Sequence, residues 1–162
     1  MSRASLDLGL VGNGSVAALV DARARVAWCC IPAFDGDPAF CALLSPAAGG
    51  GDYAIEIEDF ERSEQAYLKN SAVLRTVLHD RHGGAVEVTD FMPRWRQHGR
   101  FYRPGMLVRR LRPLAGRPRV RVVLRPLADY GARVPEQTWG SNHIRYLLPG
   151  FTLRLTSDVP VR

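Results

Sequence analysis

Val73-Leu74-Arg75-Thr76-Val77-Leu78-His79-Asp80-Arg81-His82-Gly83-Gly84-Ala85-Val86-Glu87-Val88-Thr89-Asp90-Phe91 is the stretch from which the fold can be read. Two arms, residues 73–79 and 85–91, are rich in valine, threonine and leucine and flank a polar loop that ends in paired glycines. Branched side chains favour extended backbone, and glycine lets a chain reverse at positive φ. The second arm alternates, so Val86 and Val88 face one side and Glu87 and Thr89 the other. That period of two marks a β-hairpin with one apolar face.

The pattern continues toward the C-terminus. Asp90-Phe91-Met92-Pro93 closes the hairpin arm, and residues 94–103 set Trp95, Phe101 and Tyr102 among arginines, which reads as an excursion loop. Residues 106–111 and 119–124 read as a second hairpin around 113–118, with Val120, Val122 and Leu124 inward and Arg119, Arg121 and Arg125 outward. Residues 127–131 form a turn, and 143–147 with 151–156 form a third hairpin over Leu148-Pro149-Gly150.

Toward the N-terminus, residues 6–11, 16–20 and 26–31 read as an antiparallel meander, with Gly12-Asn13-Gly14 as its first turn. Residues 53–58 alternate as a half-buried strand, 61–68 fit either a short helix or an extended segment, and 38–44 are the best helical candidate. About nine or ten short strands with little helix predict an all-β fold, an antiparallel β-sandwich of the supersandwich kind, with a closed barrel as the alternative. Val86, Val88, Val120, Val122, Leu124, Leu153 and Leu155 are its expected interior. The last residues, 158–162, still read as strand, so a truncated sandwich is expected. Its open edges would favour a homodimer or larger homo-oligomer.

Composition narrows the function. The 162 residues fit one domain, 1–162, long enough for a core without disulfide staples. The net charge is +6, and Lys69 is the only lysine. The arginines are spread along strands and form no basic run, which argues against nucleic acid as a partner. Cys29, Cys30 and Cys41 have no C-x-x-C spacing, so no zinc site is expected, and free thiols suit a reducing, cytoplasmic setting. Arg3 precedes an apolar run, 6–11, that Asp7 interrupts, too short and polar for a signal peptide or membrane helix. His79, His82, His98 and His143 are dispersed, and no metal or cofactor is expected. Gly12-Asn13-Gly14-Ser15 lacks the lysine and the following helix of a phosphate loop.

One stretch carries a functional expectation. Trp28-Cys29-Cys30-Ile31-Pro32-Ala33-Phe34-Asp35-Gly36-Asp37-Pro38 starts as an apolar strand and breaks at Pro32, which has no N–H for a ladder. It leaves the sheet carrying an aromatic and a carboxylate, so Trp28, Phe34 and Asp35 are candidates for a functional rim. The ordinary alternative is a turn in which Asp35 caps a short helix. Asp35 with Asp37, and Asp90, are the carboxylates that glycoside hydrolysis could in principle use. No nucleophile elbow, H-E-x-x-H or dinucleotide motif is present, and the residues alone name no catalytic group.

Leu8-Gly9-Leu10-Val11-Gly12-Asn13-Gly14-Ser15-Val16-Ala17-Ala18-Leu19-Val20 and then Val26-Ala27-Trp28-Cys29-Cys30-Ile31-Pro32-Ala33-Phe34-Asp35 resemble the start of bacterial glycoside hydrolase family 15 proteins, the glucoamylase-like and trehalase-like enzymes. Residues 88–93, 125–131 and 140–145 agree with later parts of the same pattern, in order. Ala27, Ala33 and Gly36 depart from it, standing where an acidic residue, an arginine and a serine are usual. The resemblance implies the N-terminal β-sandwich of such an enzyme, with both catalytic glutamates in an (α/α)6 barrel that is absent here.

Two functions then compete. In one, the chain is a non-catalytic accessory domain of a hydrolase acting on α-glucosides such as α-glucan oligosaccharides or trehalose. It packs against the barrel through Trp28, Phe34, Asp35 and Asp90, or touches sugar with them, and is inactive alone. In the other, it is a free-standing carbohydrate-binding or protein-interaction module, with Trp28, Phe34, Trp95 or Trp139 stacking on sugar rings.

Overall fold

The hairpin at residues 73–91 lies at the heart of one sheet, and its inward valines meet a second sheet built mostly from the first third of the chain. The computed structural model describes residues 6–44 and 49–161; Arg3 and Arg162 lie outside the described residues. In chain order the strands are β1 (Leu8–Gly12), β2 (Ala17–Asp21), β3 (Val26–Cys30), β4 (Pro38–Phe40), β5 (Asp52–Ile57), β6 (Phe60–Tyr67), β7 (Leu74–Asp80) and β8 (Ala85–Phe91). There follow β9 (Trp95–Gln97), β10 (Arg100–Tyr102), β11 (Val108–Ala115), β12 (Val120–Arg125), β13 (Glu136–Trp139), β14 (His143–Leu148) and β15 (Phe151–Thr156). The described residues contain no helix, and the fold is an all-β sandwich of antiparallel sheets.

The first sheet has the order β1-β2-β3-β5-β12, with β4 also paired to β3. The facing sheet has the order β11-β8-β7-β6, and β13-β14-β15 form a separate third sheet. Between the two main sheets, Val11, Val20, Val26 and Cys29 pack with Leu74 and Met92. Ile55 and Ile57 pack with Leu78, Val86 and Val88. Val88 is fully buried and Ile55 nearly so. Burying such a side chain contributes about 1.5–3 kcal/mol, so these facing rows hold the sheets together.

Short acidic or amide side chains close the hairpins. Asn13 Oδ1 accepts from the backbone of Ser15 and Val16 between β1 and β2. Asp21 Oδ1 accepts from Arg23 and Arg25 between β2 and β3. Asp80 Oδ1 accepts from His82 and Gly84 between β7 and β8. Each carboxylate or amide thus gives the reversing backbone the partner that the ladder cannot.

Tyr67 of β6 and Tyr146 of β14 hydrogen-bond to the outer strands of the first sheet. The Tyr67 hydroxyl accepts from Leu10 N at 2.7 Å and donates to Leu10 O at 2.9 Å, on edge strand β1. The Tyr146 hydroxyl donates to Leu124 O at 3.0 Å, on edge strand β12.

Several expectations need correction. Residues 38–44 are not helical: β4 pairs with Cys29 and Cys30, and all three of its residues are buried. A segment so short cannot form a stable helix alone, and with every side chain covered it has no polar face to present. Residues 106–111 and 119–124 do not form a hairpin with each other. β11 pairs with β8 and β12 pairs with β5, so the chain crosses between the two sheets there. Val122 is 47 % exposed, because β12 is an edge strand. Leu153 and Leu155 belong to the third sheet and are half-buried, although Leu153 still packs on the main core. Residues 61–68 resolve as the strand β6. Residues 94–103 hold a small hairpin, β9 and β10, turning at His98 and Gly99, both at positive φ.

Candidate functional site

β3 delivers residues 31–37 to one end of the sandwich. Trp28 is half-buried on β3, on the same face of the strand as Cys30. Beyond the cis Ile31–Pro32 bond the chain turns, with Gly36 N donating to Ala33 O. Phe34 is 58 % exposed and Asp35 is exposed beside it. No helix follows for Asp35 to cap, since the next element is β4.

A second loop completes this end. Asp129, Tyr130 and Gly131 are three consecutive residues at positive φ, 55°, 54° and 94°. Ala128 and Arg133 close the loop behind them by exchanging backbone hydrogen bonds of 2.8 and 3.0 Å. Left-handed backbone at a residue other than glycine costs about 1–3 kcal/mol. The compensation is Asp37, whose carboxylate accepts from Asp129 N at 2.5 Å and from Tyr130 N at 2.7 Å. A hydrogen bond to a charged group contributes about 1.5–3 kcal/mol, enough to hold the strained pair. Asp37 therefore ties residues 31–37 to residues 128–133 in one composite rim.

The rim stands on a small apolar cluster of Ala39, Ala128 and Leu148. Leu127 N also donates to Ala39 O. On the solvent side it presents Phe34, Asp35, Tyr130 (62 % exposed) and Val134 (72 % exposed). Asp129 is paired with Arg133 at 2.8 Å.

A general acid in glycoside hydrolysis is a carboxyl held in an apolar pocket, whereas Asp35 stands in solvent and Asp37 is committed to backbone amides. The nearby thiols are no better suited to attack. Burial raises Cys30 above the ordinary thiol range, against a lowering by Trp28, and Asp37 and Asp35 add to the rise. Burial and then Asp37 raise Cys41, and burial pushes Cys29 up to about 12. Nucleophilic cysteines need the opposite shift. Among the described residues no group of three or more His, Cys, Asp or Glu side chains could hold a metal ion. Among the same residues no helix is long and apolar enough to cross a membrane.

Asp90 is a correction. It is fully buried, so it can meet neither sugar nor barrel. It lies on the inward face of β8 in register with Arg109 and takes Arg109 Nε at 2.8 Å and Nη2 at 3.0 Å. Arg109 also donates to the carbonyls of Tyr53 and Ala24 in the opposite sheet, and its guanidinium lies 4.6 Å from the Tyr53 ring centre. Alternation could have placed Asp90 inside, since it follows Val86 and Val88 by steps of two.

No pattern in the sequence links Asp37 with Asp129 and Tyr130. Nothing local signals a contact across ninety-two positions. The exposed aromatics Trp95 and Trp139 lie elsewhere, on β9 and β13.

The fold is an all-β sandwich, and its loop rim presents Phe34, Asp35 and Tyr130 to solvent. The family described as trehalase-like, N-terminal, matches residues 3–144, and the chain belongs to it. It is similar to Trehalase 1 of Sulfolobus acidocaldarius, 31% identical over 159 residues, which cover 94% of this chain and 25% of that protein. It is also similar to Trehalase 2 of the same organism, 31% identical over 88 residues, 54% of this chain and 14% of that protein. The chain thus spans about a quarter of the length of the first relative and less of the second. No solved structure matches it.

Proposed function

We propose that this domain is the non-catalytic N-terminal part of a glycoside hydrolase of family 15 that cleaves trehalose or a related α-glucoside. In this reading it supports an (α/α)6 catalytic barrel. The observation that carries the proposal is the match of residues 3–144 to the trehalase-like N-terminal family, together with a trehalase that extends well beyond the matched region. The rim of Phe34, Asp35 and Tyr130, fixed by Asp37, is the contact surface. Phe34 and Tyr130 supply apolar area, and Asp35 supplies an acceptor for a barrel arginine or a sugar hydroxyl. Free, buried cysteines suit a cytoplasmic setting.

The test is an activity assay on the chain alone with trehalose, maltose and starch. No glucose should be released, because both carboxylates of the displacement lie in the barrel. Turnover by a clean preparation that disappears on Asp35→Asn would sink the proposal.

Exposure of Trp139 (57 %) and Trp95 (45 %) favours a second reading, a sugar-binding module. Titration with trehalose or maltoheptaose, followed by tryptophan fluorescence, separates the two. Saturable quenching lost on Trp139→Ala or Trp95→Ala would favour the module.

A further inference from the structure

Residues 91–128 contain no aspartate or glutamate but eleven arginines. Most of the strand arginines among them are answered by carboxylates on neighbouring strands. Arg109 pairs with Asp90, Arg112 with Glu87, Arg121 with Glu56, and Arg125 with Asp52. The four on the β9–β10 hairpin, Arg94, Arg96, Arg100 and Arg103, have no carboxylate partner among the described residues. Three of their guanidiniums instead gather around the Phe101 ring, at 4.9, 5.9 and 5.8 Å from its centre.

The hairpin is an arm and not a piece of either main sheet. β9 and β10 pair only with each other, and every residue from 94 to 103 is exposed. An isolated two-stranded hairpin is marginal in water, yet this one has a fixed neck. Asn13, 3 % exposed, donates through Nδ2 to Pro93 O at 3.1 Å and to Pro104 O at 2.8 Å, the residues on either side of the arm. Trp95 and Tyr102 stack on each other across the arm, 5.6 Å between centres. Beneath Trp95 lies an open groove of about 570 Å³, lined by Gly12, Asn13, Gly14, Val73, Met92 and Arg94 among others.

We infer that the arm is a docking element for an acidic protein surface. Arginine, tryptophan and tyrosine are the side chains that concentrate binding energy at protein interfaces, and here they share one projection. Four neighbouring cations without counter-charge attract carboxylates and disfavour a basic partner. A nucleic acid fits less well. Stacking with bases needs open ring faces, whereas Phe101 is ringed by guanidiniums and Trp95 and Tyr102 each spend one face on the other. The inference does not depend on the trehalase proposal, and the glucose assay does not bear on it.

The experiment measures binding of the whole chain to immobilised poly-L-glutamate, with duplex DNA and maltoheptaose as competing probes. One variant carries Arg94→Ala, Arg96→Ala and Arg103→Ala. A control carries Arg81→Ala, Arg110→Ala and Arg117→Ala, three exposed arginines without ion pairs elsewhere, and so removes the same charge. The arm variant should lose at least about tenfold in affinity, and the control should change little. Trp95→Ala should weaken binding at constant charge. Equal losses in the two triple variants would mean bulk attraction to a basic chain and would overturn the inference. Duplex DNA or maltoheptaose binding more tightly than poly-L-glutamate through the arm would overturn it as well. All the substituted side chains are exposed, and single Arg96→Ala provides the same comparison with the least disturbance.

Discussion

Arg109 holds Asp90 in a two-pronged ion pair inside the sandwich while its remaining donors reach across to the opposite sheet. One side chain therefore joins β8 and β11 to the β2–β3 turn and β5. Both side chains are essentially excluded from solvent. Desolvating such a pair is expensive, and breaking it by removing one partner costs more than replacing both.

Asp90→Ala should destabilise the chain by about 3–5 kcal/mol, the usual cost of an orphaned buried charge. Asp90→Leu combined with Arg109→Met should recover much of the loss. Urea unfolding followed by circular dichroism measures both. A loss below about 1 kcal/mol in the single variant, the scale of an exposed pair, would contradict a buried, satisfied pair.

Asp37→Ala should free the amides of Asp129 and Tyr130 and let their left-handed backbone relax. Hydrogen exchange at these two positions should accelerate while the sandwich core stays protected. Asp35→Asn, made alongside, should leave both exchange and melting temperature unchanged, because Asp35 is exposed and caps no helix. Unchanged exchange in the Asp37 variant would show that the Ala128–Arg133 bridge holds the loop by itself.

Gly51→Ala should be destabilising on two counts. Gly51 has φ of 75°, and an added Cβ would lie 2.9 Å from Cys41 Sγ and 3.2 Å from Cys41 N. The left-handed conformation alone costs about 1–2 kcal/mol for a side chain, so a melting temperature equal to wild type would require the segment to move.

Glu87 gives the chain an acid-sensitive element. Its pKa is lowered chiefly by the hydrogen bond from Arg75 and further by Arg112, against the cost of burial. A carboxylate depressed on folding contributes stability that is present above its unfolded pKa of about 4.3 and lost as pH falls through the folded value. The wild-type melting temperature should therefore fall more steeply than that of Glu87→Gln below about pH 4. Parallel curves would remove Glu87 from the account.

The sequence made strands legible wherever the signal was local. The β7–β8 and β14–β15 hairpins and the β1–β3 meander follow from alternation and from turn residues a few positions apart. Alternation says which face a residue takes but not which strand lies beside it. That is why β11 and β12 read as partners when each belongs to a different sheet. The β9–β10 hairpin was hidden because His98 takes the left-handed role that asparagine or aspartate usually fills. Of the candidate rim, Phe34 and Asp35 were visible as the residues that follow a strand-breaking proline. The clamp from Asp37 to Tyr130 was not, because only the folded chain brings the two loops together.

Tyr67 and Tyr146 bear on how this molecule avoids becoming a fibre. A β-sheet grows by adding strands at its two free rims, and each new strand needs vacant backbone groups there. On β1 a phenol takes both the N–H and the C=O of Leu10, filling one rung as a neighbouring strand would. On β12 another phenol takes the carbonyl of Leu124. The six-stranded sheet thus carries a stopper at each end, contributed by side chains from the other two sheets. Polymerisation through this sheet must first displace a tyrosine, and docking is steered toward loops and the projecting arm.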